Sequence, residues 1–561
     1  MINTVLRLEF EHVFPDEKEK DVLEYLKQIS SFTLLNIIGF SNTKPQPNFD
    51  NFASNLDVRN DITERVIKFS RENDIREKPI LVSREASLRL AEIILSNRDK
   101  LINENENDDR DTDEINIFKA FLVINKEVNS KQNFGNSEDN LEKLVDMSIT
   151  MLFSTSDIGN YENNDLEFGK VLYATIVRFE YLIDFLKSDK EYSYLEKDLY
   201  SYFAQSSLKE VSNQMKYLFG KLFELKLNNG FKFQVDEKES QAFLNSLSSN
   251  EIIEDDDFTI LRNYPVYKIN ENTFSIIDFF FVVDKFNKSV KFILKNSFHK
   301  HHKLSARDRT FFEFFNTKFS EDYLMKKVLD EIFHEPYLVK KVVSETTVNE
   351  PDYYVRHNKK VFLFENKDVL IAKSIKSSGD IEKINGVLKS KFLEVNNKPI
   401  GVGQLVTSIV QIVENNFKFD DYLNEQKNIT IYPILLINDR IFETLGINYR
   451  LNQWYLELVK EKLGEKYNSN FIKSLTIIDM DTLIYWTPYL KTKDSNFRKI
   501  LDEHLKKMNT NTKVNHRNAE KGKIIAKKKL ATQISPISSR LIDYRLPTKL
   551  LIEKFKDVIT E

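Results

Sequence analysis

Through the first 250 residues apolar side chains recur every three or four positions, the spacing that gathers them on one face of a helix. The segments 22–38 (VLEYLKQISSFTLLNII), 86–102 (ASLRLAEIILSNRDKLI) and 172–188 (LYATIVRFEYLIDFLKS) carry it most clearly, and their leucine and aromatic stripes read as packed core. The polar, acidic run Asn103 to Glu114 interrupts the pattern and reads as a solvated loop. A second acidic turn, Glu254 to Asp257, precedes stretches that mix strand-like and helix-like runs. The pattern therefore predicts a mainly helical region over 1–250 and a mixed connector over 251–305.

Beyond residue 305 both periods alternate. Residues 320–333 have the helical period, with Leu324, Met325, Val328 and Ile332 on one face and Glu321 within that stripe. Tyr337 to Glu345 fits a strand. Val361 to Val369 is a short β-branched and aromatic run, apolar on both faces, as expected of a strand inside a sheet. An amphipathic helix is predicted from about Gly403, followed by an apolar strand from Ile429 to Ile437. These elements define a domain over 306–500, and residues 501–561 read as a basic helical extension.

The predicted buried strand ends in Glu365, Asn366 and Lys367. Alternate strand residues share a face, so Glu365 and Lys367 project together and Asn366 points the other way. If Asn358 and Lys359 form the turn, the antiparallel register pairs 357 with 360, 356 with 361, and hence Asp352 with Glu365. Opposed residues lie roughly 4.5–5.5 Å apart at Cβ, and like charges so placed are destabilising. A divalent cation would neutralise them, because hard cations such as Mg2+ take carboxylate oxygens, waters and phosphate oxygens. Lys367 alongside would orient or help deprotonate a water.

Pro351, Asp352, twelve further residues, then Glu365, Asn366 and Lys367 together resemble the signature of the PD-(D/E)xK nuclease superfamily. The resemblance spans residues 318 to 485. It implies an α+β or α/β chain whose restriction-endonuclease-like core runs αβββαβ, and metal-dependent hydrolysis of phosphodiesters in Mg2+, with Mn2+ as a substitute. It implies Asp352, Glu365 and the backbone carbonyl of Asn366 as metal ligands and Lys367 as a catalytic group. Glu321 fits the superfamily's first-helix glutamate, and equally a carboxylate favoured by the helix dipole. Gln404 fits a glutamine that some members direct at the site, and equally an ordinary polar residue near a helix start. One branch of the superfamily places Tyr four residues after that Gln; here position 408 is Ser.

The insertion between Lys367 and Gln404 carries Lys373, Lys376, Lys383, Lys389 and Lys391, candidates for nucleic-acid backbone contacts or for a solvated helical face. Near the C-terminus Lys513, Arg517, Lys521, Lys523, Lys527, Lys528 and Lys529 lie close together and could follow a phosphate backbone, or form a solvated helix. A net charge of -4 confines any nucleic-acid site to such local patches.

The chain has no cysteine, which excludes disulfides, thiolate metal sites and thiol nucleophiles. It lacks the motifs of P-loop NTPases, HExxH peptidases and GxSxG hydrolases. His299, His301 and His302 have no acidic partner at metal-ligand spacing, and Asp481 is expected to cap a helix after a strand. No apolar run is long enough to span a bilayer and the N-terminus lacks signal-peptide order, so no membrane association and a cytoplasmic location are expected. The resulting expectation is a Mg2+-dependent endonuclease acting on DNA in prokaryotic defence, restriction or repair. Its partners would be nucleic acid, a second copy of the chain in a homodimer, and a separate component of a defence system. Two alternatives stay open: an RNA-cleaving nuclease, and a non-catalytic scaffold that binds nucleic acid or a partner.

Overall fold

The apolar run at 361–369 forms a strand at the centre of a five-stranded sheet in the computed structural model of the chain. The structure describes residues 6–42, 54–75, 78–102, 110–136, 140–159, 165–342, 351–510, 519–541, 543–544 and 546–556. Three short strands, β1 (Lys232–Gln234), β2 (Val266–Lys268) and β3 (Thr273–Ile276), make an antiparallel sheet ordered β1-β3-β2. The larger sheet contains β4 (Val339–Val342), β5 (Tyr353–His357), β6 (Lys360–Lys367), β9 (Thr430–Ile437) and β10 (Thr476–Asp479), in the order β10-β9-β6-β5-β4. A small hairpin, β7 (Glu394–Val395) and β8 (Lys398–Pro399), lies between β6 and β9 in the chain. The fold is mixed α and β.

β4, β5 and β6 form an antiparallel meander, and β6, β9 and β10 run parallel to one another. The turn at 358–359 forms as expected, with Asn358 in the left-handed region that Asn tolerates better than most residues. The register that follows, His357 with Lys360 and Arg356 with Val361, continues to Tyr353 opposite Phe364. Residues 343–345 of the expected first strand lie outside the described residues. The parallel return from β6 to β9 passes through helices Ile381–Phe392 and Val402–Val413, and helix Ile447–Leu463 connects β9 to β10.

Alternate side chains of β6 enter different cores, as the strand period requires. Phe362 and Phe364, with Tyr353, Tyr432 and Ile434, join a core built with helices Asp165–Ser188, Leu208–Leu227 and Met480–Leu490. Val361 and Leu363, with Leu435 and Ile437, pack against Val402–Val413, Ile447–Leu463 and the side chains of Val145, Ile149 and Phe153. A third core joins residues 8–124 to 252–281. The cores therefore cross the boundaries expected at 250 and 305, since one runs from Phe168 to Phe555. A sheet apolar on both faces needs a layer over each, and segments of the first 250 residues supply part of both.

Three local expectations are corrected. Residues 110–114 of the acidic run open helix Arg110–Ser130, where buried Asp113 accepts from the N–H and Oγ of Ser30 at 3.2 and 3.1 Å; Asn103 to Asp109 lie outside the described residues. Asp479, rather than Asp481, caps the helix after β10, accepting from the Thr482 N–H at 3.1 Å. The helix expected at 320–333 belongs to a longer helical stretch, Thr310 to Ile332, whose Phe315–Met325 section is wound as a π-helix. Among the described residues no helix is long and apolar enough to cross a membrane.

A buried ion network joins the first half of the chain to the larger sheet. Asp157, 1 % exposed, meets Arg262 at 2.9 Å, Lys288 at 3.2 Å and Lys376 at 3.2 Å. Burial alone would raise the Asp157 carboxyl, but these cations hold it well below the usual carboxylate range. Removing one partner of a buried pair typically costs about 3–5 kcal/mol. Asp157→Ala is therefore expected to destabilise the protein by about that much at pH 7 in chemical denaturation. Because the folded-state value is depressed, this contribution is present above the ordinary aspartate value and lost as pH falls through the folded one, so the two denaturation midpoints should converge in strong acid.

Candidate active site

Glu365 and Lys367 leave β6 on the face covered by helix Val402–Val413, at the C-terminal end of the strand. Asp352 stands just before β5, where the register places it opposite Glu365. Its Oδ2 accepts the backbone N–H of Asn366 at 2.7 Å, a bond that locks the aspartate onto the neighbouring strand. Lys367 Nζ lies 3.3 Å from Glu365 Oε2 and 4.0 Å from Asp352 Oδ2. Glu321 arrives from the π-wound helix and shares a hydrogen bond with Asp352.

Electrostatics are uneven across this group. Glu365 is fully buried and its Oε1 has no hydrogen-bond partner. Burial first, then the charge of Asp352, push its carboxyl well above the ordinary value. Burial and Asp352 likewise push Glu321 up to about 8, with Lys367 opposing. For Lys367 burial works against the charge, yet Asp352, Glu365 and Glu321 together raise the ammonium above its usual range. Three carboxyl groups thus face one cation, and the site holds protons that exposed carboxylates would have lost.

Helix Val402–Val413 begins against the stem of Lys367. Gly401 adopts φ +50°, and a Cβ there would stand 3.4 Å from Lys367 Cε and 3.3 Å from the Phe392 carbonyl, so only glycine suits the approach. Gln404 directs its Oε1 to the Gly401 N–H at 2.7 Å, closing the start of its own helix.

On the opposite face Asn366 Oδ1 accepts from Asn438 Nδ2 at 2.9 Å, and Asn438 Oδ1 accepts from Arg178 Nη2 at 3.2 Å. Asp368 pairs with Lys291 at 2.8 Å and accepts from Ser320 Oγ at 2.6 Å. Apart from Asn366, none of these residues carries a role in the sequence reading. Asn438 had a usable signal, since it directly follows the apolar strand β9 and ligands in α/β sheets gather at the C-terminal ends of parallel strands. Arg178 lies in an ordinary amphipathic helix and had none.

The expected basic contacts divide. Lys373 is exposed, and so are Lys527 and Lys528 on helix Ala519–Ile534, where Lys529 is half-buried. Lys376 is a correction: it is 7 % exposed and bonded to Asp257 at 2.7 Å and Asp157 at 3.2 Å, committed inside the protein rather than offered to a phosphate. Lys513 and Arg517 lie outside the described residues. His301 stacks on Tyr194 at 3.9 Å, and His302 faces the same tyrosine's hydroxyl at 3.2 Å, a packing arrangement at a helix end.

The donor set suits a hard divalent cation. Among the described residues no three His, Asp or Glu side chains form a ready-made cation cage. Asp352 and Glu365 nonetheless offer carboxylate oxygens, and the unpartnered Glu365 Oε1 has a lone pair with nothing to accept. Mg2+ is commonly held by one or two carboxylates, with waters and substrate filling the remaining positions. A strand residue directs its N–H and C=O toward the same neighbour, so the Asn366 carbonyl lies on the Asp352 side with its N–H.

No protein-family model, curated protein or solved structure matches this chain.

The raised carboxyl groups have a stability consequence. Glu365 is raised in the folded state, so its burial costs nothing below its ordinary value and an increasing amount as pH climbs toward the folded one. Glu365→Gln is therefore expected to raise Tm by several degrees at pH 8 in EDTA and to leave it near wild type at pH 4, read by differential scanning calorimetry.

Proposed function

We propose that this protein is a divalent-cation-dependent nuclease of the PD-(D/E)xK type, hydrolysing phosphodiester bonds in DNA. The observation that carries the reading is the convergence of Asp352, Glu365 and Lys367 at the end of a central strand, with Glu365 Oε1 left unpartnered. The chain order of helix, β4–β5–β6 meander, helix and β9 agrees with the restriction-endonuclease-like core that the resemblance implies. A structural ion pair would have no use for a second and third carboxyl group around one lysine.

In this reading Asp352, Glu365 and the Asn366 carbonyl hold Mg2+ or Mn2+. The bound cation supplies Lewis-acid stabilisation of the charge that develops on the scissile phosphate. Asn366 contributes its N–H as well, keeping one Asp352 oxygen turned toward β6. Lys367, held as an ammonium by its neighbours, donates to the attacking water or to a phosphate oxygen. Burial and Asp352 push the Glu321 carboxyl up to about 8, and in this reading it would act as a proton acceptor, or an auxiliary ligand, once ionised. Exposed Lys373, Lys527 and Lys528 are the basic residues proposed to contact the nucleic-acid backbone. The helical layers would select the substrate or sense a trigger. The setting proposed is prokaryotic defence, restriction or repair in the cytoplasm, with a homodimer cutting both strands.

The test is cleavage of supercoiled and linear DNA, with single-stranded DNA and RNA alongside, in Mg2+, Mn2+ or EDTA, for wild type and Lys367→Ala. Cutting of DNA that needs the cation and disappears in the variant is expected. Cutting of RNA alone would move the substrate class. A wild type that neither cuts nor binds Mn2+ would sink the reading in favour of a scaffold. Because Glu321 is pushed up to about 8, the single-turnover rate is expected to climb with pH from 6 toward 8, and Glu321→Gln to flatten that rise.

A further inference from the structure

The side of β6 that faces away from the carboxylates carries its own polar chain. Arg178, 8 % exposed on helix Asp165–Ser188, donates to Asn438 at the end of β9, which donates to Asn366, 4 % exposed. Asn366 is the residue between Glu365 and Lys367, and its own N–H holds Asp352. Three side chains therefore connect a helix of the first half of the chain to the backbone that presents all three site residues.

The helix is itself held at two points. Lys170 Nζ meets Glu443 at 3.0 Å and Thr482 Oγ1 at 3.1 Å, and Arg178 Nε meets Asp481 at 2.7 Å. These partners sit at or just beyond the C-terminal ends of β9 and β10, so the helix position and the strand-end positions are tied to each other.

Packing is incomplete just beyond the end of β6, beside Asn438 and Asp368. A cavity of about 90 Å3 lies against the relay, bordered by Arg178, Asn438, Asp439, Lys288, Ser320 and Asp368. Among the described residues two stretches wind as π-helix, Lys285–Ser289 and Phe315–Met325, and both border this cavity through Phe286 and Phe319. π-Helical turns are uncommon and concentrate at functional sites. Where side chains face a cavity they lose the contacts that fix position in a close-packed interior. The β9 ladder pairs the backbone of Asn366 with Leu436, and the hydrogen bond from Asn438 fixes its side chain beside this cavity.

We propose that Arg178 and Asn438 are positioning residues of the candidate active site, through which helix Asp165–Ser188 controls whether Asp352 and Glu365 can take a divalent cation. The inference rests on the nuclease reading and adds its regulation. A contact on the helical layers that draws Arg178 away would free the Asn366 side chain while β9 still pairs its backbone, and would loosen the Asp352 anchor without touching a catalytic residue. Partners that orient metal ligands from behind typically cost ten- to a hundredfold in affinity or activity when removed.

The test uses the full chain on whichever nucleic acid the wild type cuts. Asn438→Leu keeps side-chain volume and removes both hydrogen bonds. Asn438→Asp still accepts from Arg178, and from the Asn366 amide rotated by half a turn. Arg178→Met unanchors Asn438 while Asp481 keeps Arg440 at 3.6 Å. Expected for Asn438→Leu is a fall in kcat of about ten- to a hundredfold and a matching rise in the Mn2+ concentration for half-maximal rate. Substrate KM should be nearly unchanged, with Arg178→Met intermediate and Asn438→Asp close to wild type in kcat and Mn2+ requirement, and Tm read alongside separates any stability lost with the buried hydrogen bonds. Mn2+ binding followed by electron paramagnetic resonance gives the same ranking independently of turnover. A Leu variant that keeps wild-type kcat and Mn2+ requirement overturns the inference and leaves the nuclease reading standing. A wild type that neither cuts nor binds Mn2+ overturns both.

Discussion

Strand β6 is buried on both faces, and a strand has only two faces to offer. Residues 361 and 363 must find apolar cover on one side and 362 and 364 on the other, which they do in separate cores. The same alternation continues into the polar end of the strand, where Glu365 and Lys367 share one side and Asn366 and Asp368 the other. The candidate site and the Asn366–Asn438–Arg178 hydrogen bonds behind it are thereby separated by the thickness of one sheet. Helices of both halves of the chain cover the second face, among them Asp165–Ser188 and the stretch Thr310 to Ile332, with Phe333 and Phe497 packed on Phe362 and Phe364.

Two kinds of buried charge follow from this arrangement. Around Asp157, Arg262, Lys288 and Lys376 are shared with Asp257, Asp284 and Asp439, and this matched network keeps the Asp157 carboxylate ionised at a depth where an isolated one would take up a proton. At the end of β6 Glu321, Asp352 and Glu365 stand about a single ammonium. The first cluster is compensated and holds the layers together. The second crowds three carboxyl groups about one ammonium, and burial together with Asp352 raises the Glu321 and Glu365 carboxyls. Lys376 marks the distinction, since it lies only nine residues beyond Lys367 in the chain and belongs to the first cluster.

Much of the site is local and was legible. Asp352 reaches Glu365 because a two-residue turn sets the register of adjacent strands, and strand periodicity puts Lys367 beside Glu365; both follow from spacing within sixteen residues. The helix at 402–413 and strand at 430–437 were legible for the same reason, each being a periodic run bounded by polar residues. Gln404 shows how far such reading reaches: its place at a helix start was correct, but its amide oxygen serves the Gly401 N–H of that helix. Whether a side chain near a helix end turns inward to a site or back to its own backbone depends on what lies across the gap.

The sequence by itself determined the strand, the turn, the register and the face on which each acidic residue stands, because these depend on backbone geometry and neighbours a few positions away. Only the tertiary structure decided which distant groups meet them. Arg178 and Asn438 are 260 positions apart yet share a hydrogen bond. Lys376 and Asp157 are separated by 219 positions and form a buried pair. Both pairings arise when helices from the first half of the chain close over the two faces of the sheet, and no local period encodes them. The depth of burial at Glu365, which raises its carboxyl and leaves one oxygen without a partner, was decided by the same layers.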